Sequence, residues 1–126
     1  MAQIYNKANV SKEDIKKIRD FIKDYNTERL SILLTNDWRI LKTDNKRRKI
    51  LLSSSGVYYW GNGFLSWIGG KKNLRLPAII IRYNGDWWNT FLHEFGHYIQ
   101  YLTEGFRNKN KRNKEKYARN FCELKS

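Results

Sequence analysis

Both histidines of this 126-residue chain fall in one five-residue window, His93-Glu94-Phe95-Gly96-His97, with a glutamate directly after the first. On an α-helix, positions i and i+4 project from one face about 6 Å apart, so two imidazoles at this spacing reach one ion at Zn–N distances of about 2.0–2.1 Å. Glu94 lies one position further round the helix. That offset keeps it out of the inner ligand set but near a water on the ion, where a general base must stand to accept a proton as the water attacks a carbonyl. The HExxH pattern therefore points to zinc-dependent hydrolysis, with His93 and His97 as ligands and Glu94 as the catalytic base. The competing reading makes His93, His97, Gln100 and Glu104 a solvated polar face opposite a Leu92, Phe95, Ile99 and Leu102 stripe. Confinement of both histidines to the motif, with glutamate in the required place, favours the metal.

A catalytic zinc takes three protein ligands and keeps a fourth position open. With both histidines used, the third must be a carboxylate or a thiolate. Glu104 rides two turns beyond His97 on the same helix and cannot bend back to the ion. The downstream candidates are Glu115, Cys122 and Glu123. Glu115, Ala118 and Cys122 share one face of a final helix, so small Ala118 lets that helix approach the motif helix closely while Glu115 reaches across. Glu115 is the choice. Cys122 shares the face, but two histidines and a cysteine make a less usual peptidase set, and a lone cysteine is more often a small buried hydrophobe.

The elements that must position these groups are readable in outline. Ser11 to Tyr25 places Ile15, Ile18, Ile22 and Tyr25 at helical spacing behind a Ser11 N-cap. Between Leu30 and Tyr83 short apolar runs at Trp38 to Leu41, Ile50 to Leu52 and Val57 to Trp60 read as strands between turn-formers. Gly61-Asn62-Gly63 and Gly69-Gly70 are turn signals, and Phe64 to Ile68 between them reads as a hairpin arm or aromatic flap. Leu76 to Tyr83, with Ile79, Ile80 and Ile81 in sequence, reads as a buried strand, and Pro77 suits its first residues or an edge. From Trp87 to about Glu104 the period turns helical, with Asp86 as N-cap, Trp88, Leu92, Phe95, Ile99 and Leu102 on one stripe, and Gly105 as the stop. After a basic linker from Phe106 to Asn113, Tyr117, Phe121 and Leu124 resume helical spacing. No internal repeat is visible.

Two stretches resemble the ImmA/IrrE-type metallopeptidases, gluzincins with an HExxH helix and a glutamate ligand on a following helix. Thr90-Phe91-Leu92-His93-Glu94-Phe95-Gly96-His97 looks like the family's active helix, and Glu115 to Leu124 looks like its glutamate helix. The likeness covers the last third of the chain. It implies a zincin-like fold, proteolysis of a specific intracellular protein such as a repressor, and a strand beside the active helix that pairs with extended substrate, for which Leu76 to Tyr83 is the natural candidate. SprT-like proteases are a second resemblance, since a DNA-linked role suits the charge, although their third ligand is histidine. An oxyanion donor beyond the metal is also required, and Tyr98, Tyr101 and Tyr117 are near in sequence.

Composition bounds the rest. One chain of this length supports one hydrophobic core, so residues 1–126 read as a single domain, and five Trp, eight Tyr and six Phe argue for folding. A single cysteine excludes an intrachain disulfide and a Cys-rich zinc site. Met1 to Val10 carries no apolar leader core and no run approaches the roughly 18 apolar residues of a membrane span, so a soluble, cytoplasmic protein without membrane contact is expected. A net charge of +13 attracts polyanions or an acidic partner. Its clusters are Lys46 to Lys49 and the Asn-interleaved run from Arg107 to Lys116. Nucleic acid is thus a candidate partner beside the protein substrate. The expected fold is α+β: an N-terminal helix, a short mixed or antiparallel sheet, the HExxH helix, and a C-terminal helix bearing the third ligand. The alternative is a basic binding module for nucleic acid or protein whose zinc is structural or inactive.

Overall fold

The structure is a computed structural model that describes residues 1–36, 54–61, 63–65, 74–104 and 111–125. It is a small α+β arrangement with six strands and three helices among the described residues: β1 (Gln3–Lys7), α1 (Lys12–Ile22), β2 (Ser31–Thr35), β3 (Gly56–Tyr59), β4 (Phe64–Leu65), β5 (Leu74–Arg75), β6 (Ala78–Ile81), α2 (Trp87–Glu104) and α3 (Lys111–Lys125). The strand readings at Trp38 to Leu41 and Ile50 to Leu52, the Lys46 to Lys49 cluster, the Gly69-Gly70 turn and the Gly105 stop lie outside the described residues.

Four strands form a mixed sheet in the order β1-β2-β6-β3, with β1, β2 and β6 parallel and β3 antiparallel to β6. The run Ile79-Ile80-Ile81 is buried on both faces because the sheet is covered on both. Ile32, Leu34, Ile79 and Ile81 face the helices, where Ile18, Ile22, Phe91, Leu92 and Phe95 complete the main core. Leu33, Ala78 and Ile80 face the other way, against Val57, Tyr59, Leu65 and Leu74. The β4 and β5 pair is a separate antiparallel ladder, so the hairpin expected from Phe64 onward is present where it is described.

Two sequence expectations are corrected by this topology. The strand within Leu76 to Tyr83 cannot receive a substrate, because β6 is hydrogen-bonded to β2 on one side and to β3 on the other. An interior strand has no free backbone groups to offer. The N-terminal region also contributes more than the helix: Gln3–Lys7 adds a strand beside β2 in parallel register, Gln3 opposite Ser31. Its polar residues give no alternating signal because the strand sits at the sheet edge.

The helix starts follow local chemistry. Ser11 caps α1 by accepting the Asp14 N–H at 3.2 Å. At the start of α2 the Asp86 carbonyl accepts the Thr90 N–H, while the Asp86 carboxylate accepts from the Asn89 side chain at 2.8 Å. The buried stripe of α2 differs from expectation at its far end. Leu92 and Phe95 are buried, but Leu102 is 46% exposed, and Trp87, Phe91 and Tyr98 supply the rest of the apolar face. Phe21 of α1 sits within 6.4 Å, ring centre to ring centre, of Phe91, Phe95 and Phe121, tying the three helices together.

Candidate metal centre

The middle of α2 presents His93, Glu94 and His97, whose ligand atoms all lie within 4.8 Å of one another. The carboxylate of Glu115, arriving from α3, meets both imidazoles: Oε2 lies 3.1 Å from His93 Nε2 and Oε1 lies 3.3 Å from His97 Nε2. Ligands at 2.0–2.1 Å in a tetrahedral zinc shell stand roughly 3.3 Å apart, so these separations are close to the edges of such a shell. Two imidazole nitrogens and a carboxylate therefore converge at distances that could hold a metal ion. Glu94 shares the cluster, with a carboxylate oxygen within 4.8 Å of a ligand nitrogen of each histidine.

The approach of α3 that makes this convergence possible rests on two small residues. A side chain at Gly96 would place its Cβ 3.0 Å from the Ala118 Cα and 3.1 Å from the Phe121 Cβ, closer than carbon atoms pack. Glycine at 96 and fully buried alanine at 118 let the two backbones nearly touch, and Glu115, one turn before Ala118, then reaches the histidines. A second glycine brings in the sheet. A Cβ at Gly56 would lie 2.5 Å from Thr90 Cγ2 and 3.2 Å from Glu94 Cγ, so β3 runs close against the motif helix.

The electrostatics suit a cation. Glu94 is 8% exposed and accepts no hydrogen bond among the described residues. Burial, with the neighbouring Glu115 charge adding, pushes its carboxyl up to about 8. Such a group must hold a proton or face positive charge. His97 is shifted down, because the cost of burying an imidazolium outweighs the Glu115 carboxylate that favours it. A neutral imidazole is the form that ligates metal. The reading of α2's polar side as a solvated face does not survive: Glu94 and Gln100 are buried, and the His97 side chain is 13% exposed.

The other expected groups fall elsewhere. Cys122 is two turns from Glu115 on the same face of α3 but points its thiol at the Asn89 carbonyl, 3.5 Å away. Glu123 is exposed, and the Glu104 side chain lies outside the described residues. Tyr98 donates its hydroxyl to the Asn26 carbonyl, which commits it away from the histidines. Sequence reasoning missed Tyr58, whose ring is parallel to His97 within 7° at 6.4 Å and whose buried hydroxyl has no hydrogen-bond partner among the described residues. Burial pushes its phenol further up. It also missed Gly56 and the cleft itself. A cavity of about 470 Å³ opens beside the pair His93 and Glu94, walled by Ser54, Ser55 and Gly56 on one side and by Asp86, Asn89, Thr90 and Cys122 on the other. Nothing local marks Gly56 or Tyr58, because their place is set by the pairing of Gly56 with Ile81 and Tyr58 with Ile79.

No helix among the described residues is long and apolar enough to cross a membrane. In comparisons with known proteins, no family model, no curated protein and no solved structure matches the chain.

Proposed function

We propose that this protein is a zinc-dependent metallopeptidase of the gluzincin type, resembling the ImmA/IrrE metallopeptidases, with His93, His97 and Glu115 as the ligands. The observation that carries the reading is the meeting of the Glu115 carboxylate with both motif imidazoles at 3.1 and 3.3 Å from a separate helix. A buried Glu94 beside that triad, without a hydrogen-bond donor among the described residues, supports it. Zinc, when bound there, supplies Lewis acidity toward a water and a substrate carbonyl. Glu94 then takes the proton released at the water oxygen and returns it to the departing amine nitrogen, a role its place beside the two histidines allows. The substrate is a specific protein inside the cytoplasm.

The charge of +13 favours a second reading, a basic module that binds nucleic acid or an acidic protein around a structural zinc. The two diverge at Glu94. In the peptidase, Glu94→Gln retains zinc and fold while hydrolysis falls by about 10²- to 10⁴-fold, the usual contribution of a general base. Proteins co-expressed with the wild type or with this variant are compared for fragments by mass spectrometry. Fragments found only with the wild type support the peptidase; identical fragments with both remove Glu94 from the chemistry, and no fragments with four protein ligands on zinc establish the module.

A further inference from the structure

We infer that the cleft beside the metal centre receives a lysine or arginine side chain of the substrate, with the Asp86 carboxylate as its counter-ion. The inference rests on the peptidase reading and names the substrate feature that this site selects. Asp86, His93 and His97 stand at positions i, i+7 and i+11, which on a 3.6-residue turn is one stripe of α2. Asp86 is therefore about 10 Å along the helix axis from His93, at the far end of the cavity that the two residues share. A carbonyl held at the triad leaves its neighbouring side chain pointing along this stripe or away from it. A basic side chain, with about 6–7 Å of reach beyond its Cα, spans the distance to Asp86 when it points along it.

The lining decides the charge that fits. Its described residues are serine, glycine, asparagine, threonine and cysteine, together with His93, Glu94 and Asp86, and none of these is lysine or arginine. This is unusual ground in a chain with 25 basic and 12 acidic residues. At the triad end, an ion held by the histidines would offset Glu94 and Glu115, which would leave Asp86 as the uncompensated charge. The start of α2 carries roughly half a positive charge, less than the full negative charge of Asp86. One carboxylate oxygen of Asp86 accepts from Asn89, and no cation pairs with the group among the described residues. The positive field of the rest of the molecule is screened beyond about 8 Å at physiological salt, so the nearby carboxylate governs the cleft. Asn89 and Thr90 along the floor suit the polar head and the stem of a basic side chain respectively.

The probes are the hydroxamates of lysine, norleucine and glutamate, which carry one metal-chelating head and three different side chains. Their affinities for the zinc-loaded full chain are measured by calorimetry at 0.15 M salt, with Asp86→Asn and Asp86→Lys alongside. Asparagine caps a helix as well as aspartate does, so the first variant removes the charge and keeps the start of α2. The wild type should prefer lysine hydroxamate over norleucine hydroxamate by about two- to fivefold, as an exposed ion pair allows, and should bind the glutamate compound more weakly still. Asp86→Asn should bring the lysine and norleucine affinities together, and Asp86→Lys should invert the order. Equal binding of all three to the wild type, or an order unchanged in both variants, overturns the role of Asp86 alone. Binding of none of them overturns the metal-centre reading and this inference with it.

Discussion

Adding one methyl group at Gly96 should loosen zinc without unfolding the protein. The new Cβ of Gly96→Ala would stand 3.0 Å from the Ala118 Cα and 3.3 Å from the Ala118 carbonyl oxygen, both backbone atoms that cannot rotate aside. Carbon pairs settle near 3.5–4.0 Å, so α3 must retreat by about 0.5 Å or more. Alanine gains about 1 kcal/mol over glycine in a helix interior, while overpacking costs about 1–3 kcal/mol, and the two nearly offset in stability. Zinc geometry is less forgiving, since ligand distances hold within about 0.2 Å. Glu115, one turn from the contact, then sits too far from the histidines it now meets at 3.1 and 3.3 Å. The expected result is a loss of about 10- to 100-fold in zinc affinity, the scale of a disturbed support shell, with metal-free melting changed by only a few degrees. Competition against a chromophoric chelator reads the affinity. A Glu115→Gln background should absorb most of the effect, because residues acting through one contact are not additive. Unchanged zinc affinity in Gly96→Ala would refute the claim that helix approach sets the position of Glu115.

Other consequences follow from the same site. Zinc affinity should fall sharply in Glu115→Ala and little in Cys122→Ala or Glu123→Ala; the reverse order would move the ligand. In metal-free protein the Glu94 carboxyl is raised to about 8, so the folded state holds a proton that the unfolded chain releases near 4.5. Its stabilising contribution is full below the unfolded value and is lost as pH rises through about 8. The downward shift of His97 acts in the opposite sense but only below 6.5, so between pH 6.5 and 8.5 stability should fall by about 1 kcal/mol per pH unit. Chemical denaturation with chelator present measures this, and Glu94→Gln should flatten the slope; an equal slope in both proteins would remove Glu94 as its source. Polyanion binding should be weak and should fall steeply with salt, since basic contacts release counterions. Its absence at low salt, measured with duplex DNA and with heparin, would leave the charge to a protein partner.

The chemistry was legible where it was written on one helix. The i, i+4 spacing fixes how His93 and His97 face, and Glu115, Ala118 and Cys122 declare a common face of α3 before any packing is known. What the spacing cannot show is where along that face the second helix meets the first. That depends on Gly96, whose significance is only in the 3.0 Å it leaves to Ala118. The sheet was harder. Three isoleucines in a row are buried on both faces, which is the mark of an interior strand, yet the order β2-β6-β3 is a long-range choice that no local pattern encodes. Hence the Leu76 to Tyr83 segment proved to be an interior strand with no edge to offer. The strand at Gln3–Lys7 was silent for a related reason: an edge strand stabilised mainly by its backbone ladder to β2 needs no alternating apolar residues. Tyr58 entered the site only through its register opposite Ile79.

The central claim is that Glu115 completes a three-ligand, open zinc site with the two motif histidines. A crystal structure of the zinc-loaded protein, with anomalous scattering recorded on both sides of the zinc edge, tests it most directly. The expected result is a single zinc bound by His93 Nε2, His97 Nε2 and the Glu115 carboxylate, with the fourth position free of protein and Glu94 outside the shell. A zinc closed by four protein ligands, or one bound without Glu115, would contradict it.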